Sequence, residues 1–178
     1  MTPKKILNAN ELSTILHRLS YQLIEDHGDF SETVLIGIQP RGILLANRLF
    51  KLLSNNKEFK NVDLGFLDIT FFRDDFRRGE KTIKPKSSNI DISIENKKIV
   101  LIDDVLFTGR SIRAAMSSID SYGRPKSIEL MVLIDRRFKR ELPIEANYFG
   151  AKIDTIKGDK VSVIWGKEKD NDVVYIER

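Results

Sequence analysis

The run Ile99-Val100-Leu101-Ile102-Asp103-Asp104-Val105-Leu106-Phe107-Thr108-Gly109-Arg110-Ser111 holds the residue types best suited to chemistry. Its apolar residues deliver two adjacent carboxylates to the carboxyl end of a strand, where open α/β sheets place their ligand crevice. The following loop opens a helix, so its backbone N–H groups and the Thr108 and Ser111 hydroxyls converge on a site for one anion. Gly109 lets the backbone approach closely. Two carboxylates beside such a cradle suit a sugar phosphate, because they accept hydrogen bonds from vicinal hydroxyls and attract hydrated Mg²⁺. By itself an Asp-Asp pair usually marks an exposed strand-end turn, with Thr108 as a helix cap. The order of apolar strand, acid pair, Thr-Gly and helix is more specific than that. Other phosphate motifs fail: Gly37 to Gly42 has the glycine spacing of a Walker A loop, but Ile43 and Leu44 stand where Lys and Ser/Thr are required.

The elements that must position this run are legible in the periodicity. Residues 8 to 28 read as an amphipathic helix, with Leu12, Ile15, Leu16, Leu19, Leu23 and Ile24 three or four apart, Asn10 as its cap and Gly28 as its stop. Thr33 to Ile38 is a strand, followed by the tight loop Gln39-Pro40-Arg41-Gly42 and a helix to about Leu53. Val62, Leu64 and Phe66 alternate as a strand that runs on towards Phe72. Residues 73 to 93 break every periodicity and carry a basic excess, so they read as a long mobile loop that can act as a lid. Lys98 to Asp103 is a buried-type strand, Gly109 to Tyr122 a helix and Ser127 to Ile134 a strand. Short strands at Val161 to Trp165 and Val173 to Ile176 form a small cap. Strands alternating with helices predict an α/β fold, a mostly parallel central sheet covered by helices on both faces.

A length of 178 residues predicts a single domain, 1–178, with a hood contributed mainly by 136–178. Hydrophobic residues at 41% and charged residues at 31% exclude a disordered chain, and no apolar run is long enough to span a bilayer. Met1 to Asn8 lacks the features of a secretory signal, so a cytoplasmic location is expected. With no cysteine and two histidines, thiolate chemistry is excluded and a dedicated zinc site is not expected; a metal would arrive with the substrate. The net charge of +4 favours anionic partners, and phosphorylated metabolites satisfy it as well as nucleic acid does.

The 99–111 motif resembles the signature with which type I phosphoribosyltransferases bind phosphoribosyl pyrophosphate (PRPP). The resemblance implies that Asp103 and Asp104 hold the ribose hydroxyls and, through water and PRPP, Mg²⁺. It implies further that Val105, Leu106, Phe107, Thr108, Gly109, Arg110 and Ser111 hold the 5′-phosphate, and that Pro40, Arg41 and Gly42 belong to a pyrophosphate loop. A closer resemblance is to the PyrR family, pyrimidine operon attenuators that also act as uracil phosphoribosyltransferases. It runs from about 11 to 176 through Gly37 to Gly42, Asp68-Ile69-Thr70, Arg73-Asp74-Asp75, the PRPP signature, Gly123-Arg124-Pro125, Asp135-Arg136 and Arg140-Glu141-Leu142-Pro143-Ile144. From that family the loop at Arg73, Asp74 and Asp75 is expected to close over pyrophosphate. Arg136 and the backbone around Lys160 and Val161 are expected to contact nucleotide and base. One segment departs: the family's Asp-Arg-Gly-His-Arg-Glu-Leu-Pro is replaced by a version one residue longer, in which Arg137-Phe138-Lys139 stands for Gly-His.

The implied reaction converts uracil and PRPP to UMP and pyrophosphate, with Asp103, Asp104 and Arg41 in the catalytic roles and Mg²⁺ as cofactor. UMP and UTP are the implied effectors, and a homodimer or larger homo-oligomer is the implied assembly. RNA is a further partner, for which His17, Arg18, Arg137, Lys139 and Arg140 could build a basic face. Two alternatives stay open: a purine phosphoribosyltransferase using hypoxanthine or guanine, and a non-catalytic RNA-binding nucleotide sensor.

Overall fold

A computed structural model of the chain describes residues 3–55, 59, 61–74, 88–156, 158–166 and 171–177. Strand β1 (Lys4–Leu7) leads into helix α1 (Ala9–His27) through a capping box. Asn8 Oδ1 accepts the Glu11 N–H at 3.0 Å, and the Glu11 carboxylate accepts the Asn8 N–H at 2.8 Å. Asn8 rather than Asn10 is therefore the cap, because a residue three before a glutamate can satisfy its backbone reciprocally. Gly28 ends the helix at φ +58. There follow β2 (Thr33–Ile38), α2 (Gly42–Ser54), β3 (Asp63–Leu67), β4 (Lys98–Leu106), α3 (Arg110–Ile119), β5 (Ser127–Arg137) and β6 (Tyr148–Asp154).

Five strands pair in parallel in the order β3-β2-β4-β5-β6, which is the expected α/β architecture. Successive residues of β4 serve opposite faces, as the pleat requires. Val100 and Ile102 join the core under α1 and α2, with Leu12, Leu19, Leu45 and Leu49. Ile99 and Leu101 join the core under α3, with Ile112, Ala115 and Ile119. The tail strands β7 (Lys160–Ile164) and β8 (Val173–Glu177) form an antiparallel sheet with β1, so the chain's amino end completes the hood. Among the described residues no helix is long and apolar enough to cross a membrane.

The local readings miss in several further places, among them β1, which was not foreseen, and Asn89 of the expected loop, which pairs with Phe66. The strand expected to reach Phe72 stops at Leu67, because Asp68 Oδ1 accepts the Thr70 N–H at 2.8 Å and the Thr70 hydroxyl at 2.5 Å, turning the chain into a 3₁₀ turn. Strand β4 continues past Asp103 to Leu106, because β5 pairs with it up to Leu106↔Asp135. Helix α3 stops at Ile119, and a tight turn, with Tyr122 N–H on the Ile119 carbonyl at 2.8 Å, covers the residues expected to extend it. Strand β6 was not foreseen; its half-buried Phe149-Gly150-Ala151 run lacks a two-residue alternation. Residues 75–87 of the expected long loop lie outside the described residues.

At the amino ends of the strands, the Tyr148 hydroxyl lies 2.8 Å from Asp26 Oδ2 and 2.9 Å from Glu129 Oε2. His27, its side chain fully buried, approaches both Tyr148 (3.2 Å) and Glu129 (3.3 Å). Burial, reinforced by the two carboxylates, pushes the Tyr148 phenol above its ordinary range, so it stays a hydrogen-bond donor. Burial also lowers the His27 imidazole against the opposing pull of Glu129. Tyr148→Phe removes the donor that two carboxylates share, and should cost about 1–2 kcal/mol of folding stability. Urea unfolding of both proteins checks this, and an unchanged midpoint would remove the cluster from the list of stabilising contacts.

Candidate active site

The chain leaves β2 for β3 on one side and returns to β4 on the other, so the topological switch falls between β2 and β4. Open α/β sheets place their ligand site at such a point, at the carboxyl ends of the strands. Gly42 begins α2 against the β4 backbone: a Cβ at this position would lie 2.2 Å from the Ile102 carbonyl oxygen and 3.0 Å from Asp103 Cα. The glycine is thus required by close approach. Pro40 and Arg41 stand exposed just before it, and Arg41 occupies the N-cap position with no side-chain capping bond.

An open cavity of about 310 Å³ lies beyond β4, lined by Arg73, Asp74, Asp103 and the residues from Val105 to Ile112. Gly109 is left-handed at φ +92, and a Cβ there would meet the Ile144 side chain at 3.2 Å, so conformation and space both ask for glycine. Gly109 rather than Thr108 takes the N-cap position of α3, without a side-chain cap. The first-turn N–H groups that lack an intrahelical partner therefore belong to residues that line the cavity.

Because β4 runs through the acid pair, the two carboxylates do not share one position. Asp103 is half-buried and lines the cavity; Asp104 is buried and does not. Asp103 Oδ1 accepts the Asp104 N–H at 2.9 Å. Burial and the charge of Asp104 push the Asp103 carboxyl up to about 8, and burial likewise raises Asp104. Arg41 pulls both down without overcoming burial. Two hard oxygen donors strained in this way fit a divalent cation such as Mg²⁺, which relieves the burial and repulsion that protonation otherwise relieves. Among the described residues no cluster of three or more metal-ligating side chains could hold an ion alone, so an ion here would complete its shell from substrate and water.

The other residues singled out in the sequence divide. Asp74 is held by Arg113 at 2.7 Å and Arg110 at 3.7 Å, which fastens the start of the expected lid to α3; Asp75 lies outside the described residues. Arg113 was missed, although its i, i+3 spacing from Arg110 places both on one helix face. Arg136 is buried outside the cavity lining. Its guanidinium lies 3.8 Å from the Phe107 ring centroid, with Nε on Thr155 Oγ1 at 3.2 Å and a terminal nitrogen on the Asp159 carbonyl at 2.8 Å. Val161 contributes its side chain to the core, and the exposed Lys160 faces Glu177 at 3.8 Å.

The five residues expected on one basic face have different surroundings. His17 is exposed beside a groove shared with Arg48 and Lys51. Arg18 donates to the carbonyls of Phe149 and Gly150 at the sheet edge. Arg137 pairs with Asp154, Lys139 is half-buried, and Arg140 turns inward to Asp135 and the Phe107 carbonyl. The contact between Asp135 and Arg140 went unseen because it is made by a turn rather than by a repeat.

The raised Asp103 carboxyl has a definite consequence for stability. A group whose folded value lies above its unfolded value of 3.8 contributes stability below that value and loses it as pH rises towards about 8. In the absence of ligand, Asp103→Asn should therefore be more thermostable than the parent at pH 9, with the gap closing towards pH 4. Melting curves at the two ends of that range check it, and a variant no more stable than the parent at pH 9 would refute the raised carboxyl.

Known proteins supply an independent comparison with this geometry. The family model for the phosphoribosyl transferase domain matches residues 4–167. A protein from Caldicellulosiruptor bescii named bifunctional protein PyrR is 42% identical over 175 residues, covering 98% of this chain and 95% of its own. The bifunctional protein PyrR of Enterococcus faecalis is 40% identical over 178 residues, covering 100% and 98%. Among solved structures, a hypoxanthine phosphoribosyltransferase from Staphylococcus aureus aligns with TM-score 0.65 at 25% identity, covering 85% of this chain and 77% of its own. Similarity along nearly the whole chain, with which the glycine-packed start of α2 and the cavity at the start of α3 agree, places this protein in the phosphoribosyltransferase family, among the PyrR proteins.

Proposed function

We propose that this phosphoribosyltransferase transfers the ribosyl phosphate of PRPP to uracil, releasing pyrophosphate and UMP. The observation that carries the reading is the meeting of Gly42, Asp103 and the 105–111 loop at the β2/β4 crevice. Backbone N–H groups and the Thr108 and Ser111 hydroxyls bind the 5′-phosphate, and Asp103 accepts a hydrogen bond from a ribose hydroxyl. Arg41 faces the departing pyrophosphate from the start of α2, where its charge matters most as the anomeric bond breaks. Mg²⁺, held at Asp103 with support from Asp104, supplies a Lewis acid for the pyrophosphate oxygens when bound. Arg73 and Asp74, at the cavity edge, lead into the segment that would exclude water. No covalent nucleophile is required. UMP and UTP carry the same ribose and 5′-phosphate, so the cradle that serves PRPP also suits them as effectors.

The base is the finer point. Arg136 stacks on Phe107 of the phosphate loop and reaches the Asp159 carbonyl beside Lys160, which suits a role towards the base, and the full-length similarity to PyrR proteins favours uracil over a purine. Pyrophosphate release measured with uracil, hypoxanthine and guanine tests this. Turnover with uracil alone is expected, and the Asp103→Asn, Asp104→Asn double variant should lose at least about a hundredfold, the scale of removing preorganised groups from a reacting site. Preference for hypoxanthine or guanine would overturn the assignment.

The relatives are named bifunctional, and weak, poorly discriminating RNA binding is the second property proposed. Arg18, Arg137 and Arg140 already have protein partners, so the basic surface offers phosphates less than its residue count implies. Non-specific attraction should survive and specific readout should be weak. Titrating a pyrimidine-leader hairpin and a scrambled hairpin at two salt concentrations is expected to give similar, salt-sensitive affinities. A large preference for the leader that persists at high salt would contradict this.

A further inference from the structure

The loop that lines the cavity is held from behind by a segment not yet given a role. The Phe107 carbonyl accepts a hydrogen bond from one terminal nitrogen of Arg140, and the other terminal nitrogen of Arg140 binds the buried Asp135. The Thr108 carbonyl accepts from the Glu141 N–H at 3.0 Å and the Leu142 N–H at 3.3 Å. Leu142 and Ile144 pack beneath Gly109, and the Glu141 carboxylate meets Arg110 at 2.8 Å. Asp135 is itself placed by the sheet, since it lies opposite Leu106 in the β4–β5 register.

Peptide geometry converts this grip into an effect on the far side of the loop. In a trans peptide the C=O and the following N–H point in opposite directions, and both the Phe107–Thr108 and Thr108–Gly109 peptides are trans. Pulling the Phe107 oxygen away from the cavity turns the Thr108 N–H towards it, and holding the Thr108 oxygen does the same for the Gly109 N–H. A guanidinium on the Phe107 carbonyl also polarises that peptide, making its N–H a stronger donor. The charge of Arg140 is offset by Asp135, so the effect is local and orienting.

We propose that Arg140, held by Asp135, is the positioning residue of the phosphate cradle: it fixes the Phe107 carbonyl and so aims the Thr108 N–H at the anion. This rests on the reading of the 105–111 loop as the PRPP phosphate site. It gives Arg140 a task inside the enzyme rather than on an RNA-facing surface, consistent with a side chain only 24% exposed.

Steady-state kinetics of Arg140→Ala, Arg140→Lys and Asp135→Asn, with PRPP and uracil varied separately, test the proposal. Arg140→Ala should raise KM for PRPP about tenfold, the scale of one lost charge-assisted hydrogen bond, and leave KM for uracil within about twofold, since the only part of the proposed site that Arg140 contacts is the phosphate loop. Arg140→Lys should recover part of the loss, because an ammonium can still donate to the carbonyl, though not in the two-pronged geometry. Asp135→Asn should fall between. The amide signals of Thr108 and Gly109, followed by NMR as inorganic phosphate is added, should shift in the parent and shift less in Arg140→Ala. An unchanged PRPP KM in a folded Arg140→Ala, or equal rises in both KM values with no rescue by lysine, would overturn the positioning role. A parent that neither turns over PRPP with any base nor shifts these amides would instead overturn the functional reading on which it rests.

Discussion

The contact on which the site depends is the seating of Gly42 against the backbone of β4. Helix α2 can begin there only because no side chain intervenes: any Cβ would overlap the Ile102 carbonyl oxygen, a backbone atom that is itself held in the sheet. The approach brings Arg41 close enough for its charge to reach both Asp103 and Asp104, and it closes one side of the crevice that strand order leaves open. A larger residue would push the helix outward and separate the arginine from the acids together, since both are carried on rigid elements packed to near-crystalline density.

The acid pair shows how function and stability oppose each other in this fold. A strand buried on both faces is the least favourable place for two neighbouring carboxylates, and the cost appears as a raised Asp103 rather than as a compensating protein partner. Groups left in that condition interact strongly with whatever cation or hydroxyl enters, because the desolvation has already been met during folding. By contrast, the polar cluster of Tyr148, Asp26, Glu129 and His27 at the opposite end of the sheet is internally satisfied, with each group facing another at hydrogen-bonding distance. One end of the sheet carries the proposed ligand site and the other holds the layers together.

Between these ends, the 140–144 segment and Arg136 join the 105–111 loop to the hood. Arg136 stacks on Phe107 while reaching Thr155 and the Asp159 carbonyl, and Arg140 holds the same residue's carbonyl against Asp135. Phe107 is thereby gripped by its ring and by its backbone from two different arginines. The departure from the family pattern lies just before this grip: Phe138 stands at φ +72, exposed, in a left-handed conformation that costs a non-glycine residue about 1 kcal/mol. The altered turn still delivers Arg140 to its partners.

The sequence by itself determined the alternation of strands and helices, the parallel sheet, and the order of apolar strand, acids and Thr-Gly loop at 99–111. These are local patterns, set by side-chain periodicity and by the few residues that tolerate a tight loop. It also marked Gly109 as a close-approach position and Gly42 as part of a tight loop. Tertiary structure alone decided what each was close to: the β4 backbone for Gly42, Leu142 and Ile144 for Gly109. It decided that β4 extends through the acids, because strand length follows from the partner strand and not from composition. It placed β1 with β8 across nearly the whole length of the chain. And it turned Arg140 inward, since a guanidinium's partner is set by which carboxylate and carbonyl the folded turn brings within reach, and a one-dimensional pattern of charges contains no distances.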